Sequence, residues 1–176
     1  MREQVILSGF GGQGVLSAGF LLSEASMQAG LNVTYYPSYG AEMRGGAANC
    51  HVVLSDSGVY SPVIDRADTL IALSQPAFDK FASRVRENGT ILVDQSVKTQ
   101  ATQARIVALP FEEVVLKEIG NIRVLNTVVI GAYAALHKSW LKKEWIENAI
   151  VHKFESKGQK IVDLNIKALQ LGYNLL

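Results

Sequence analysis

The chain has 176 residues, 48% of them apolar and 19% charged, with a formal net charge of +1. That length and apolar content suit one globular α/β domain over residues 1–176, and the near-neutral charge gives no electrostatic reason for a nucleic-acid or membrane partner. One cysteine, Cys50, excludes an internal disulfide and any cysteine-built cluster or zinc site within the chain. No run of about 18 apolar residues is present, so no transmembrane helix is expected. Met1-Arg2-Glu3-Gln4 passes at once into an apolar strand, which leaves no room for a signal peptide and points to a cytoplasmic protein.

Gln4-Val5-Ile6-Leu7-Ser8 reads as a buried strand, and Val15 to Ala29 carries Leu16, Phe20, Leu21 and Met27 at helical spacing. Between them lies Gly9-Phe10-Gly11-Gly12-Gln13-Gly14, with Gly9, Gly11 and Gly14 at the three glycine positions of G-x-G-x-x-G. A strand, a glycine turn and a helix together aim free backbone N–H groups at an anion. A dinucleotide site also needs an acidic residue about 20 positions further on, at the end of the second strand. Here that strand, Asn32 to Tyr36, runs into Pro37-Ser38-Tyr39-Gly40 without a carboxylate, and Glu42 lies beyond, inside a loop. No Gly-Lys-Ser/Thr follows the turn either, so NAD and nucleoside triphosphates are both disfavoured. Two readings remain open: a ligand or partner surface at the turn, or glycines that serve only close helix–sheet packing.

Gly30 looks like the stop of the first helix. The loop from Pro37 to Ala48 holds Tyr39, Glu42, Met43, Arg44 and the pair Gly45-Gly46, costly choices for a plain linker. Arg44 is the candidate there for gripping an anion bidentately, with an ion pair to Glu42 as the alternative. Tyr39 suits stacking or closing a pocket, against a plain buried turn residue. Asn49 suits a hydrogen bond to a ligand or to loop backbone.

Asn49 to Ser55 alternates as a strand, and Asp56-Ser57-Gly58 suggests a hairpin with Val59 to Val63. Cys50 and His51 are sequence neighbours on that strand and point to opposite faces, which argues against a nucleophile–base pair. Thr69 to Leu73, Thr90 to Val93 and Arg105 to Ala108 read as further strands. Helices are expected over Ala77 to Arg86, capped by Ser74-Gln75-Pro76, over Phe111 to Ile119, and over Thr127 to Leu136. Gly131, Ala132, Ala134 and Ala135 in the last of these suit close packing on another element. Two more helices, Leu141 to Val151 and one from about Lys160 to just before Gly172, close the chain. Asp94 and Asn126 are expected as caps or turn residues that could also line a crevice, and His137 and His152 as solvated residues near helix ends. The order predicts a three-layer αβα domain with a Rossmann-like start and a mostly parallel sheet carrying one antiparallel hairpin excursion. No acid–base pair, metal cluster or activated nucleophile is visible.

Gly9-Phe10-Gly11-Gly12-Gln13-Gly14-Val15, Tyr39-Gly40-Ala41-Glu42-Met43-Arg44-Gly45-Gly46 and Asn49-Cys50, in this order, resemble the gamma subunit of 2-oxoacid:ferredoxin oxidoreductases. The form of the second loop is closer to the 2-oxoglutarate branch than to the pyruvate one. The resemblance implies a non-autonomous subunit of an enzyme that uses coenzyme A to convert a 2-oxoacid to acyl-CoA and CO2 while reducing ferredoxin. It further implies alpha, beta and delta partner subunits that hold thiamine diphosphate and iron–sulfur clusters, and a role for this module in assembly and coenzyme A handling. On that basis Gly9, Gly11, Gly12, Gln13, Gly14, Tyr39, Arg44 and Asn49 are the expected cofactor-binding positions. One departure stands out: Val15 to Ala29 contains no Lys or Arg to hold a phosphate, so Arg44 or a partner must supply the charge, or the turn is purely an assembly surface. A stand-alone nucleotide- or CoA-binding module and a non-binding scaffold are the alternatives.

Overall fold

The computed structural model describes residues 1–38 and 47–176. Strands β1 (Arg2–Phe10), β2 (Asn32–Ser38), β3 (Ala47–Ser55), β4 (Ala67–Ala72), β5 (Val85–Asp94) and β6 (Arg105–Leu109) form one sheet in the order β2-β3-β1-β4-β5-β6. β1, β4, β5 and β6 are parallel, while β3 runs antiparallel between β1 and β2. The described helices are α1 (Val15–Gln28), α2 (Gln75–Phe81), α3 (Phe111–Glu118), α4 (Leu125–Leu136), α5 (Lys143–Phe154) and α6 (Gln159–Tyr173). This is the expected α/β architecture with its antiparallel excursion.

Alternation along the strands separates two cores. Val5, Leu7, Cys50, Val52 and Leu54 face α1 and, with α3 to α6, build the larger one. Ile6, Val53, Ile91 and Val93 face the other way, where α2 contributes Ala77, Phe78 and Phe81. Ser74 caps α2 by accepting from the Ala77 N–H at 3.4 Å, and Pro76 follows in its first turn, where a missing N–H costs nothing.

Two expectations about the sheet change. β3 does not pair with residues 59–63; it is an inner strand bonded to β1 from Arg2↔Ser55 to Phe10↔Ala47, and to β2 from Asn32↔Ser55 to Ser38↔Asn49. Its two apolar faces suit a central position, whereas Pro62 and a local bond from the Val63 N–H to Ser61 Oγ break up the following segment. The helix expected to reach Arg86 instead stops at Phe81, continues as a 3-10 turn to Arg84, and gives way to β5 at Val85. Asn88, with φ of 64°, and Gly89 lie inside β5 rather than ending a helix, and the register with β4 shifts there. Val85 pairs with Ala67, so strand pairing outweighs the local helical spacing.

α4 is buried on nearly all sides and lies under α6. Gly131 and Gly172 make the approach possible: a Cβ on either would overlap backbone of the other helix, at Leu169 and Val128 respectively. Gly172 is therefore an interior helix residue, not the stop expected of it. We expect Gly172→Ala to lower the unfolding free energy by roughly 1–3 kcal/mol through overpacking, measured as a shifted urea midpoint; an unchanged midpoint would mean the two helices separate freely.

Candidate functional site

The glycine turn sits at the C-terminal end of β1, the end at which open α/β sheets receive ligands. Gly12 and Gly14 have φ of 103° and 74°, a region that side-chain-bearing residues avoid. A Cβ on Gly9 would lie 2.6 Å from Gln13 Oε1, and one on Gly14 would lie 2.9 Å from the Asn126 side chain. Gly11 and Gly12 are exposed at the tip. The Gln13 side chain folds back under the turn: Oε1 accepts from the Phe10 N–H at 2.7 Å, and Nε2 donates to the Leu73 carbonyl at 2.9 Å and to Glu112 Oε1 at 3.1 Å. The turn is thus held to β4 and α3 by a single amide.

Gly14 is the N-cap of α1 and offers no side chain to the helix's first N–H groups. The first helical bond runs from the Ala18 N–H to the Gly14 carbonyl, so the N–H groups ahead of it lack intrahelical acceptors. These donors border a crevice of about 310 Å³ lined by Gly14, Ser17, Arg123, Asn126, Phe154 and Lys157, among others. Arg123 lies in the 3-10 turn ahead of α4 and Lys157 in the one after α5; both are exposed, and Lys157 Nζ stands 5.5 Å from the centre of the Phe154 ring. Helix donors, two cations and an apolar wall form a concave surface suited to an anionic ligand with an apolar body. The positive charge missing from α1 comes from residues over 100 positions away. Nothing local in the sequence marks Arg123 or Lys157, since only the packing of α4, α5 and α6 brings them to α1.

Asn126 is not a cap. It lies in the first turn of α4, 4% exposed, and its side chain fills the space left by the absent Gly14 Cβ. Asn49 is buried opposite Ser8 and Ser38 in the sheet, at the foot of the turn. Tyr39 and Arg44, with the rest of residues 39–46, lie outside the described residues. Asp94 acts as expected of a turn and cap residue, accepting from the Ser96 N–H at 2.9 Å and the Glu112 N–H at 3.0 Å. A larger groove of about 450 Å³, lined by Arg66, Phe78, Asp79 and Gln103, opens near the N-terminal ends of β4, β5 and β6. That is the wrong end of the sheet for this fold class, so the crevice at α1 is the better candidate.

Cys50 and His51 do face opposite ways. The Cys50 thiol is sealed under α1, 3.7 Å from the Val15 carbonyl, and burial pushes its pKa up to about 12. His51 Nδ1 accepts from the Ile64 N–H at 3.2 Å, and burial lowers its pKa. His152 is exposed and bonds Glu24 at 2.9 Å, which raises its pKa. His137 departs from its expected solvated state. It stacks 4.3 Å from the Tyr133 ring, and burial pushes its pKa down to about 4. Glu3, 3.9 Å from His137 Nε2, is raised to about 7 by burial, despite the bond it accepts from Thr69 Oγ1 at 2.7 Å. This pocket, which also contains Asp68 and Arg86, is remote from the turn and belongs to the fold.

Comparison with known proteins places this geometry. The family model described as pyruvate ferredoxin/flavodoxin oxidoreductase matches residues 4–175. The chain belongs to this family. It is 40% identical over 171 residues to ketoisovalerate oxidoreductase subunit VorA of Methanothermobacter marburgensis, covering 96% of this chain and 35% of VorA. The chain thus spans about a third of the length of that relative. It is 34% identical to 2-oxoglutarate synthase subunit KorC of Methanocaldococcus jannaschii, over 99% of this chain and 94% of KorC. Among solved structures, the gamma subunit of a keto/oxoacid ferredoxin oxidoreductase from Geobacter sulfurreducens aligns with a TM-score of 0.82 at 32% identity, covering 98% of this chain and 96% of that one. The chain is a gamma-type module of the oxidoreductase family, and among its described residues no helix is long and apolar enough to cross a membrane.

The Glu3–His137 pocket makes stability depend on pH in two opposed ways. Glu3 releases its proton at about 7 when folded against 4.5 in the usual case, so its contribution is full below 4.5 and is lost as pH rises through 7. His137 shifts from 6.5 to about 4, so its contribution is full above 6.5 and is lost as pH falls through 4. Glu3→Gln removes the first slope. Urea midpoints of that variant should therefore rise with pH between about 4 and 6.5 more steeply than those of the parent chain; parallel curves would show that Glu3 titrates normally.

Proposed function

We propose that this chain serves as the gamma subunit of a 2-oxoacid:ferredoxin oxidoreductase and has no complete active site of its own. The observation that carries the reading is the end-to-end match with gamma-type subunits, from residue 4 to residue 175. In that role the glycine turn and the α1 crevice handle coenzyme A. Its phosphates meet the α1 N-terminus with Arg123 and Lys157, and Phe154 with its neighbours offers an apolar wall; Arg44, outside the described residues, is proposed from the sequence as a further cation. Gln13 holds the turn in shape for this, and Gly11 and Gly12 keep its tip open to a close approach. Thiamine diphosphate and iron–sulfur clusters belong to partner alpha, beta and delta subunits; a single buried thiol with a pKa near 12 does not fit a cluster ligand set.

The oxoacid we favour is 2-oxoglutarate, because the match with KorC covers 99% of this chain and 94% of KorC. A branched-chain oxoacid is the second reading, favoured by the higher identity to VorA. The test is anaerobic capture of the tagged chain from its native cells, followed by assay of CoA-dependent dye reduction with 2-oxoglutarate, 3-methyl-2-oxobutanoate and pyruvate. Recovery of thiamine- and cluster-bearing partners with one activity supports the reading and names the substrate; a chain recovered alone and inert overturns it in favour of a stand-alone CoA-binding module. Within an active complex, Arg123→Ala and Lys157→Ala should each raise the KM for CoA roughly tenfold, about 1.4 kcal/mol per lost charged contact, with kcat little changed. Unaltered KM values would leave the crevice a packing feature only.

A further inference from the structure

The two faces of the sheet are covered very unequally. On the α1 side, Val33, Tyr35, Cys50, Val52 and Leu54 of β2 and β3 lie under helix. On the opposite side, the only described helix is α2, and it packs on β1 and β4, leaving β2 and β3 without one. There the segment 59–64 lies across β3, anchored by Ile64, which is fully buried against the Val53 side and donates its N–H to His51. The same segment turns Tyr60 and Val63 outward, 96% and 58% exposed. Tyr36, 47% exposed on this face of β2, stands 6.4 Å from the His51 ring. Further up the same face, Phe10 is 41% exposed at the end of β1, immediately inside the glycine turn. Aromatic and branched side chains are thus held in water along one side of the module, up to the turn itself. Side chains of this kind dominate protein interfaces when a partner dries them.

The face needs an occupant, and the relatives indicate which. In VorA the module is a third of one chain, whereas in KorC it is nearly the whole chain. The remaining two thirds of VorA have no counterpart in this chain or in KorC, so whatever part of VorA packs on the module would, in the short form, come from a separate subunit. We infer that the face formed by Tyr36, Tyr60, Val63 and Phe10 docks the oxidoreductase subunit homologous to the part of VorA that this chain does not match. This inference rests on the gamma-subunit reading. The edge of β2 is a poorer place for such a partner, because Pro37 has no N–H to offer an added strand. Phe10 lies on the same side of the sheet next to the glycine turn, so a subunit that extends along this whole side also reaches the turn.

The test uses the complex captured from cells by a tag on this chain, with the VorA-homologous subunit identified by mass spectrometry. The double variant Tyr60→Asp and Val63→Asp should recover at least about tenfold less of that subunit, with the melting temperature of the purified chain unchanged. A matched pair on the helical side, Leu116→Asp and Val151→Asp, should recover parental amounts. A photo-crosslinking amino acid in place of Tyr60, which leaves the core untouched, should form an adduct with the same subunit, and this readout stands even if the double variant unfolds. Parental recovery by the Tyr60 and Val63 variant, or a crosslink to a second copy of this chain, overturns the inference while leaving the gamma-subunit reading intact. Failure of the parent chain to capture any such subunit overturns both.

Discussion

The amide of Gln13 is the interaction on which the functional end of this molecule depends. It joins the Phe10 N–H, the Leu73 carbonyl and Glu112, groups separated by up to about 100 residues of sequence, in one buried-edge network. Without it the glycine turn would have the backbone freedom that glycine confers, and the start of α1 would lose its fixed direction. With it, β1, β4 and α3 hold the turn from three sides. The Asp94 carboxylate extends the same arrangement by tying the β5 end to the Glu112 N–H.

The second constraint is the absence of Cβ atoms where layers meet. Gly14 admits the Asn126 side chain, Gly19 admits Cys50 and Tyr35, and Gly131 with Gly172 lets α4 and α6 touch through backbone. Close packing on this side carries Arg123, Phe154 and Lys157 to the start of α1. On the side of α2, β3 is covered by the segment that carries Ile64, and Tyr36 and Tyr60 remain exposed beside it. The helical side of the sheet carries the larger core, and the other side leaves Tyr36, Tyr60 and Val63 in water. That division fits a unit that acts only within a larger enzyme.

Membership of the pyruvate ferredoxin/flavodoxin oxidoreductase family accounts for what the chain lacks as well as for what it has. Among the described residues β2 ends at Ser38 without a carboxylate, no Gly-Lys-Ser/Thr follows the glycine turn in the sequence, and burial keeps the Cys50 thiol protonated. The higher identity to VorA and the nearly end-to-end match to KorC separate along different measures, so relatedness of this module alone does not select the oxoacid.

Local chemistry was enough for the elements whose signals are local. The alternation of Gln4 to Ser8, the spacing in Val15 to Ala29, the Ser74-Gln75-Pro76 cap and Pro110 ahead of α3 all act within a few residues, and each appears where its pattern placed it. The opposite orientations of Cys50 and His51 follow from strand geometry alone. The glycine turn was legible too, because only glycine tolerates its positive φ angles and close contacts. Pairing partners were not: β3 reads equally well as half of a local hairpin, and long-range bonding to β1 and β2 decided otherwise. Nor was the fate of His137, whose pKa is set by neighbours from β1, β4 and α4. The cations of the crevice and the exposed aromatic side chains beside β2 and β3 come together only once the helices are distributed over the sheet. Sequence by itself determined the turn, most of the strands and the family, because these depend on short-range sterics and pattern; tertiary structure alone decided how the strands pair, which distant charges meet the turn and which apolar side chains stay in water.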